Sequence, residues 1–366
     1  MGSAKSRRRY LDWMRGLAVL VMIEAHVIDS WTRAADRHGW PFGWSLILGG
    51  FGAPLFLFLA GLSVALSAGS KARRLQDDRR AAAKVERRGL EIFLLAFLFR
   101  IQSWVISRSA VRALLKVDIL NIMGPAIAGT AMLWRAGRTL RGRVALFAAA
   151  TAALVFATPL VRATPLLAPL PDFLEGYLRP VPGLTNFSFF PWAAFLPAGA
   201  IIGLFVDRAR TRPVESRLNL VLGLTGAAVA IGAYAASYLP TPYARSDFWT
   251  SSPAFFFLRA GIMTAAIALI YLWELRPETT GWHPMPLLGR TSLFIYWIHV
   301  EMVYGVISLP LHKALTLRQA WAGFAVFSLF MLGCAAGKER FMEWWRRPRQ
   351  PVALGTGGLG GAERLS

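Results

Sequence analysis

Long apolar runs separated by clumps of positive charge restrict this chain more than any other feature. The runs are Leu46–Gly69, Ile92–Ile106, Val144–Val161, Phe187–Val206, Leu218–Tyr238, Ala254–Trp273, Met285–Leu309 and Ala320–Gly337. Most approach the length of about 20 residues that a helix needs to cross a bilayer. One or two could form the core of a soluble domain, but so many cannot be buried within 366 residues. The bilayer must supply the apolar surroundings. Backbone polar groups in hydrocarbon are satisfied only inside a helix or a closed barrel, and runs of this length are helical. Only 17% of residues are charged, against about 25% in a soluble protein.

The sequence carries 41 Lys and Arg against 20 Asp and Glu, a net charge of +21. The excess does not call for nucleic acid. Basic residues gather before the first apolar segment, in Lys71–Arg88, Arg135–Arg143 and Arg208–Arg217, and again after Gly337. Cytoplasmic loops of membrane proteins accumulate Lys and Arg, and lipid head groups are sufficient anionic partners. This alternation places both termini in the cytoplasm with an even number of spans. Leu11–Asp29 and a weaker segment, Ile119–Trp134, complete an all-α bundle of about ten transmembrane helices. Leu11–Asp29 follows a basic start as a signal peptide does, but Asp12, Arg15, Glu24 and His26 interrupt it and no clear cleavage site follows. It reads as a retained first span. Residues 1–345 then form one polytopic domain, and 346–366 a basic, then Gly-rich, flexible tail.

The proline-rich stretch between Pro159 and Pro191 is expected outside the bilayer, as a cap walling a substrate vestibule or as a plain connector. No internal repeat is visible, which weighs against a transporter built from two repeated halves. Cys334 is the single cysteine, and the five His show no zinc spacing, so no metal is expected.

Ionisable side chains inside a bilayer are costly and mark function by default. In the first span Asp12, Arg15, Val19, Met22, His26 and Asp29 recur at spacings of three and four and form one stripe. Asp12 and Arg15 read as a structural ion pair. His26, with Asp29 one turn on, reads as a general base whose ring the carboxylate orients, or as a buried histidine bonded to a neighbouring helix. Glu24 faces elsewhere. Late in the chain Ser292, Tyr296, His299 and Val303 form a second stripe, with His299 a catalytic, substrate-binding or merely buried group. Arg100 and Arg259 offer forks for carboxylate, phosphate or thioester oxygen, or neutralise an intramembrane carboxylate such as Asp29, Glu91 or Glu301. Gly199-Ala-Ile-Ile-Gly203 is a small-xxx-small packing signal.

Three motifs occur in order. Tyr10-Leu-Asp-Trp-Met-Arg-Gly, an apolar run and His26 resemble the opening of the transmembrane acyltransferase superfamily. Gly49-Gly-Phe-Gly-Ala-Pro-Leu-Phe-Leu-Phe-Leu-Ala-Gly61 resembles a segment of the heparan-alpha-glucosaminide N-acetyltransferase family. Leu288-Gly-Arg-Thr-Ser-Leu-Phe-Ile-Tyr-Trp-Ile-His299 resembles a segment shared with the related acyltransferase-3 family. The resemblance covers roughly the two ends of the chain. It implies a multi-pass enzyme of the cell membrane (the inner membrane in a Gram-negative source). Such an enzyme moves an acyl group, foremost acetyl, from cytoplasmic acyl-CoA to a sugar or glycan on the far side. His26 is the base by the acyltransferase-3 pattern, and His38 by the glucosaminide-type pattern. Arg259, His299, Ser292 and Tyr296 would polarise the thioester or hold the acceptor. Direct transfer and an acyl-histidine intermediate are both open. The rival reading is a proton-coupled transporter or flippase using the same His, Asp and Arg residues.

Overall fold

The computed structural model describes residues 8–107, 110–276 and 283–346, and it is helical throughout. The tail expected over 346–366 lies, beyond its first residue, outside the described residues. The helices are α1 (Arg9–Trp31), α2 (Gly39–Gly49), α3 (Gly52–Leu75), α4 (Asp78–Ser107), α5 (Ile119–Ala136), α6 (Leu140–Ala163) and α7 (Asp172–Leu178). They continue with α8 (Phe189–Trp192), α9 (Phe195–Arg208), α10 (Arg212–Ala236), α11 (Pro253–Glu274), α12 (Pro284–Arg290), α13 (Ser292–Tyr304) and α14 (Leu317–Arg346).

Among the described residues seven stretches are long and apolar enough to cross a membrane: Gly39–Leu75, Asp78–Ile106, Leu140–Ala163, Phe189–Arg208, Arg212–Ala236, Pro253–Glu274 and Leu317–Arg346. The protein is a multi-pass membrane protein. The remaining expected spans differ for physical reasons. Helix α1 has the length but carries the polar stripe. Helix α5 has only 18 residues, with Pro125 inside and Arg135 near its end. The expected continuous run Met285–Leu309 is instead α12, α13 and a 3-10 turn, Val306–Leu311. At the first break the Thr291 hydroxyl donates to the Leu287 carbonyl at 2.9 Å, a backbone-competing bond that bends helices. At the second, Gly305 leaves the helix in extended geometry.

The interior is built around α1, which packs against α2, α3, α11, α12, α13 and α14. Its buried Met14, Ala18 and Met22 join the main core, whereas Val19, Ile23 and Val27 join a second cluster with α12 to α14. Close crossings use small residues, because backbones that touch leave no room for a Cβ. A Cβ added at Gly199 or Gly203 of α9 would overlap the backbone carbonyls of Phe58 or Leu62 on α3. The packing signal thus seats α9 on α3.

Ion pairs stitch one end of the bundle. Arg73 Nη2 lies 2.7 Å from Asp207 Oδ1, Arg143 Nη2 2.6 Å from Asp78 Oδ2, Arg8 Nε 2.7 Å from Glu215 Oε1, and Arg290 Nη2 3.0 Å from Glu339 Oε2. These pairs join segments that the charge pattern assigns to a common side. The N-terminus of α4 is capped by Asp77, whose Oδ1 accepts from the backbone N–H groups of Arg79 and Arg80 at 2.8 and 3.0 Å. The Arg80 N–H foremost, with that of Arg79, holds the Asp77 carboxyl below its ordinary range.

Replacing Gly199 by Val should lower stability by about 1–3 kcal/mol, the usual cost of overpacking. Gly232→Ala, where an added Cβ meets nothing within 4 Å, should leave it unchanged or slightly raised. Thermal unfolding midpoints of the two variants in detergent check the contrast.

Candidate active site

The polar stripe of α1 is engaged along its length. Arg15 Nη1 donates to Asp12 Oδ1 at 2.8 Å, and Nη2 donates to Ser63 Oγ of α3 at 2.7 Å. Beside this pair, α1 and α12 approach until their backbones touch. A Cβ on Gly16 would overlap the Met285 carbonyl, and one on Gly289 the Asp12 carbonyl. That contact fixes where α13 starts relative to α1. Two to three turns further along each helix, His26 and His299 meet. His26 Nδ1 lies 2.8 Å from His299 Nε2, with the ring planes 17° apart.

The hydrogen bonds determine the protons. His299 is 0% exposed, and its Nδ1 lies 2.8 Å from the Ile295 carbonyl oxygen. A carbonyl only accepts, so His299 Nδ1 carries the hydrogen. In the neutral ring Nε2 is then an acceptor. His26 Nδ1 must donate to it, which leaves His26 Nε2 unprotonated. The second histidine therefore orients the first, the role a carboxylate takes in Ser-His-Asp sites.

His26 lines a cavity of about 980 Å³ that follows α1 from Arg15 through Met22 to Asp29. That interval is 14 residues, about 21 Å at 1.5 Å per residue. The volume lies at the upper end of the range for small-molecule sites, about 300–1,000 Å³. Arg15, Ser63 and Arg88 line the wall, as do Ser292, Tyr296 and Tyr304 of α13. Arg100 also lines it, with Nη2 2.7 Å from Asp118 Oδ2. Tyr296 Oη donates to the same Asp118 oxygen at 3.5 Å.

Asp29 sits at the mouth rather than on the His26 ring. Its Oδ2 accepts from Tyr304 Oη at 3.0 Å, Oδ1 from Arg37 at 3.2 Å, and Lys313 Nζ lies 3.9 Å away. The Asp29 side chain is 55% exposed. Burial lowers the Lys313 ammonium pKa, and Asp29 opposes this. The proline-rich segment forms a wall: Thr185, Asn186 and Phe187 line the cavity. Paired bonds from Val117 N to Leu184 O, 2.9 Å, and Asn186 N to Val117 O, 3.0 Å, hold it there.

The structure thus brings His26, Asp29, Arg15, Arg100, Ser292 and Tyr296 to one cavity, with His299 behind His26. Two expected site residues lie elsewhere. His38 is exposed at the start of α2, outside the cavity wall. Arg259 lines a second, smaller cavity, its guanidinium 3.8 Å over the Phe255 ring. The carboxylate of Arg100 is Asp118, not Asp29, Glu91 or Glu301. Asp118 was legible as a helix start, since Asp followed by Asn at the third position makes a capping box on α5. Glu24 faces away, buried against Gly49 of α2. Among the described residues, no group of three or more His, Cys, Asp or Glu could hold a metal.

The site is a histidine-lined cavity inside a bundle of apolar helices. Residues 7–238 match the family model described as Heparan-alpha-glucosaminide N-acetyltransferase, catalytic, and the chain belongs to that family. It is a membrane acetyltransferase. Comparison with curated proteins finds no match. The matched region contains His26, Asp29, Arg15, Arg100 and Asp118, whereas α11 to α14, with Arg259 and His299, lie beyond it.

Asp118→Ala should strand the Arg100 guanidinium and remove the α5 cap. A loss of about 3 kcal/mol is expected, as for breaking a buried pair from one side. Arg100→Met with Asp118→Leu should recover part of it. A double-mutant cycle on unfolding midpoints measures the coupling.

Proposed function

We propose that this protein transfers an acetyl group from acetyl-CoA at the cytoplasmic face of the cell membrane to a hydroxyl or amine of an extracytoplasmic sugar or glycan. The observation that carries the reading is His26, its Nδ1 2.8 Å from His299 Nε2, on a cavity that follows α1 from Arg15 to Asp29. The residues present suit the donor. Arg15, paired with Asp12, and Arg88, paired with Glu91, place guanidinium N–H groups for its phosphates at the end beside the basic loops. A channel of about four helical turns accommodates an extended thioester arm.

His26 Nε2 takes the acceptor proton while the acceptor oxygen or nitrogen bonds to the thioester carbonyl carbon. The C–S bond then breaks, and the proton passes to the CoA sulfur. The same lone pair would serve an acyl-histidine route. His299 keeps His26 in the reactive tautomer, and Ser292 and Tyr296 are placed to hold the carbonyl oxygen or the acceptor. Asp29, tied to Tyr304, Arg37 and Lys313, shapes the mouth through which the acceptor enters.

Purified protein in nanodiscs should release thiol from acetyl-CoA when a glucosamine-containing acceptor is added. His26→Ala should lose about 10²–10⁴-fold, the usual worth of a general base. Thiol release that is unaffected by His26→Ala would remove His26 as the base and shift that role to His38 or His299, and acceptor movement without CoA release would favour a carrier.

His299→Ala should cost less than His26→Ala but change the shape of the pH profile, because the ring of His26 then no longer has its Nδ1 acceptor. Rates from acid to alkaline pH for wild type, His299→Ala and His299→Gln measure this. A profile unchanged in both variants would make His299 a packing residue only.

A further inference from the structure

Several contacts converge on Tyr304, the last residue of α13. Its backbone is fastened to the end of α1. The Val303 carbonyl accepts from Ser30 Oγ at 3.0 Å, Trp31 Nε1 at 3.3 Å, Ser308 Oγ at 2.8 Å and His312 Nε2 at 3.0 Å. Ser30 and Trp31 belong to the last turn of α1, so the ends of the two helices are held together. The chain beyond α13 is then laid along the same end, by Lys313 N to Ser30 O, 2.9 Å, Leu315 N to Trp31 O, 3.0 Å, and Arg33 N to Leu315 O, 2.8 Å. The Tyr304 hydroxyl donates to Asp29 Oδ2 at 3.0 Å, and Arg37 and Lys313 face the other oxygen of that carboxylate. The Tyr304 ring meets the His26 ring edge to face, with centroids 5.5 Å apart and planes at 70°. That is the geometry aromatic pairs favour, with centroids about 4.5–7 Å apart.

One hydrogen bond does not fix an imidazole. The bond from His26 Nδ1 to His299 leaves the ring free to rock about it, and the direction of Nε2 moves with the ring. A second ring set across the first removes that motion. Asp29 lies one turn beyond His26 on the same helix face, and its carboxylate is spent on Tyr304, Arg37 and Lys313. We infer that Tyr304 is a positioning residue through which Asp29 acts on the base: Asp29 holds the Tyr304 hydroxyl, and the Tyr304 ring holds His26 so that Nε2 keeps one direction. The inference rests on the acetyl-transfer reading above and deepens it, because it gives Asp29 and Tyr304 a shared part in setting the base. Tyr304, like His299, lies beyond the region that matches the family, so this clamp belongs to the chain's own C-terminal part.

The first test needs no turnover. Nitrogen-15 spectra of the full-length protein in nanodiscs, labelled at the histidine rings, report the tautomers, and the His26 signals are those missing from His26→Gln. Wild type should show His26 in one tautomer, with Nδ1 protonated. Tyr304→Leu should broaden or double those signals, and Tyr304→Phe, which keeps the ring but not the hydroxyl, should change them less. The second test is acceptor-dependent thiol release. Tyr304→Phe should lower kcat roughly 3- to 10-fold, the worth of one hydrogen bond. Tyr304→Leu should lower it roughly 100-fold, as a misplacement of about 1 Å does. The KM for acetyl-CoA should stay unchanged in both. Asp29→Ala combined with Tyr304→Phe should cost less than the product of the two single effects, because both break the same link. Unfolding midpoints show which variants are folded, and Tyr304→Phe carries the test if Tyr304→Leu is not. Unchanged His26 signals in the folded Tyr304 variants would overturn the inference. So would a loss confined to KM, or effects of Asp29→Ala and Tyr304→Phe that simply multiply. The expected change in the His26 signals, in a protein that releases no thiol with any acceptor, would leave the clamp standing and refute the transferase reading instead.

Discussion

Placing a helix with Asp12, Arg15, Glu24 and His26 inside an apolar bundle is the constraint around which this protein is organised. An isolated charge in hydrocarbon is prohibitively unstable, so each polar group on α1 needs either a partner or a cavity. Arg15 finds Asp12 and Ser63, His26 finds His299, and Asp29 reaches the mouth, where Tyr304, Arg37 and Lys313 meet it. Glu24 alone is buried with neither carboxylate oxygen hydrogen-bonded. Helices α3, α12 and α13 are located by these needs and by the backbone contact at Gly16 and Gly289. The cavity is what remains between elements that α1 has already positioned.

The break between α12 and α13 has the same origin. A single straight span over Met285–Leu309 would satisfy its own backbone but would not necessarily present His299 to His26. Bending at Thr291 lets α12 pack on the start of α1 while α13 runs past its far half. The Ile295 carbonyl then sits where it fixes the His299 tautomer. The chemical state of His26 is thus set by an element remote in sequence, through one buried ring that touches the cavity only indirectly.

Much of the site was legible residue by residue. The stripe Asp12, Arg15, His26, Asp29 follows from helical spacing, and so does the stripe Ser292, Tyr296, His299. Gly199 and Gly203 announce a close helix contact, and α9 does lie on α3 there. Partners were less legible. Helical spacing put Asp29 within reach of His26, but it says nothing of Tyr304, Arg37 and Lys313, which draw the carboxylate outward. Arg100 pairs with Asp118, which the sequence marks only as a helix cap. Arg259 shares the apolar character of its span with the other candidates, yet its rotation about α11 turns it into a different cavity.

The sequence by itself determined that the chain lives in a membrane, that it is helical, and which faces of α1 and α13 are polar. All of these depend on composition and on the period of the helix, which are local. Only the tertiary structure decided that His26 pairs with His299 rather than with Asp29, that the proline-rich segment walls the cavity, and that Arg162 joins Arg259 in a separate pocket. Those outcomes depend on how helices rotate and cross. Crossing is set by contacts between backbones far apart in the chain, where a missing Cβ at Gly16, Gly199 or Gly289 matters more than any motif around it.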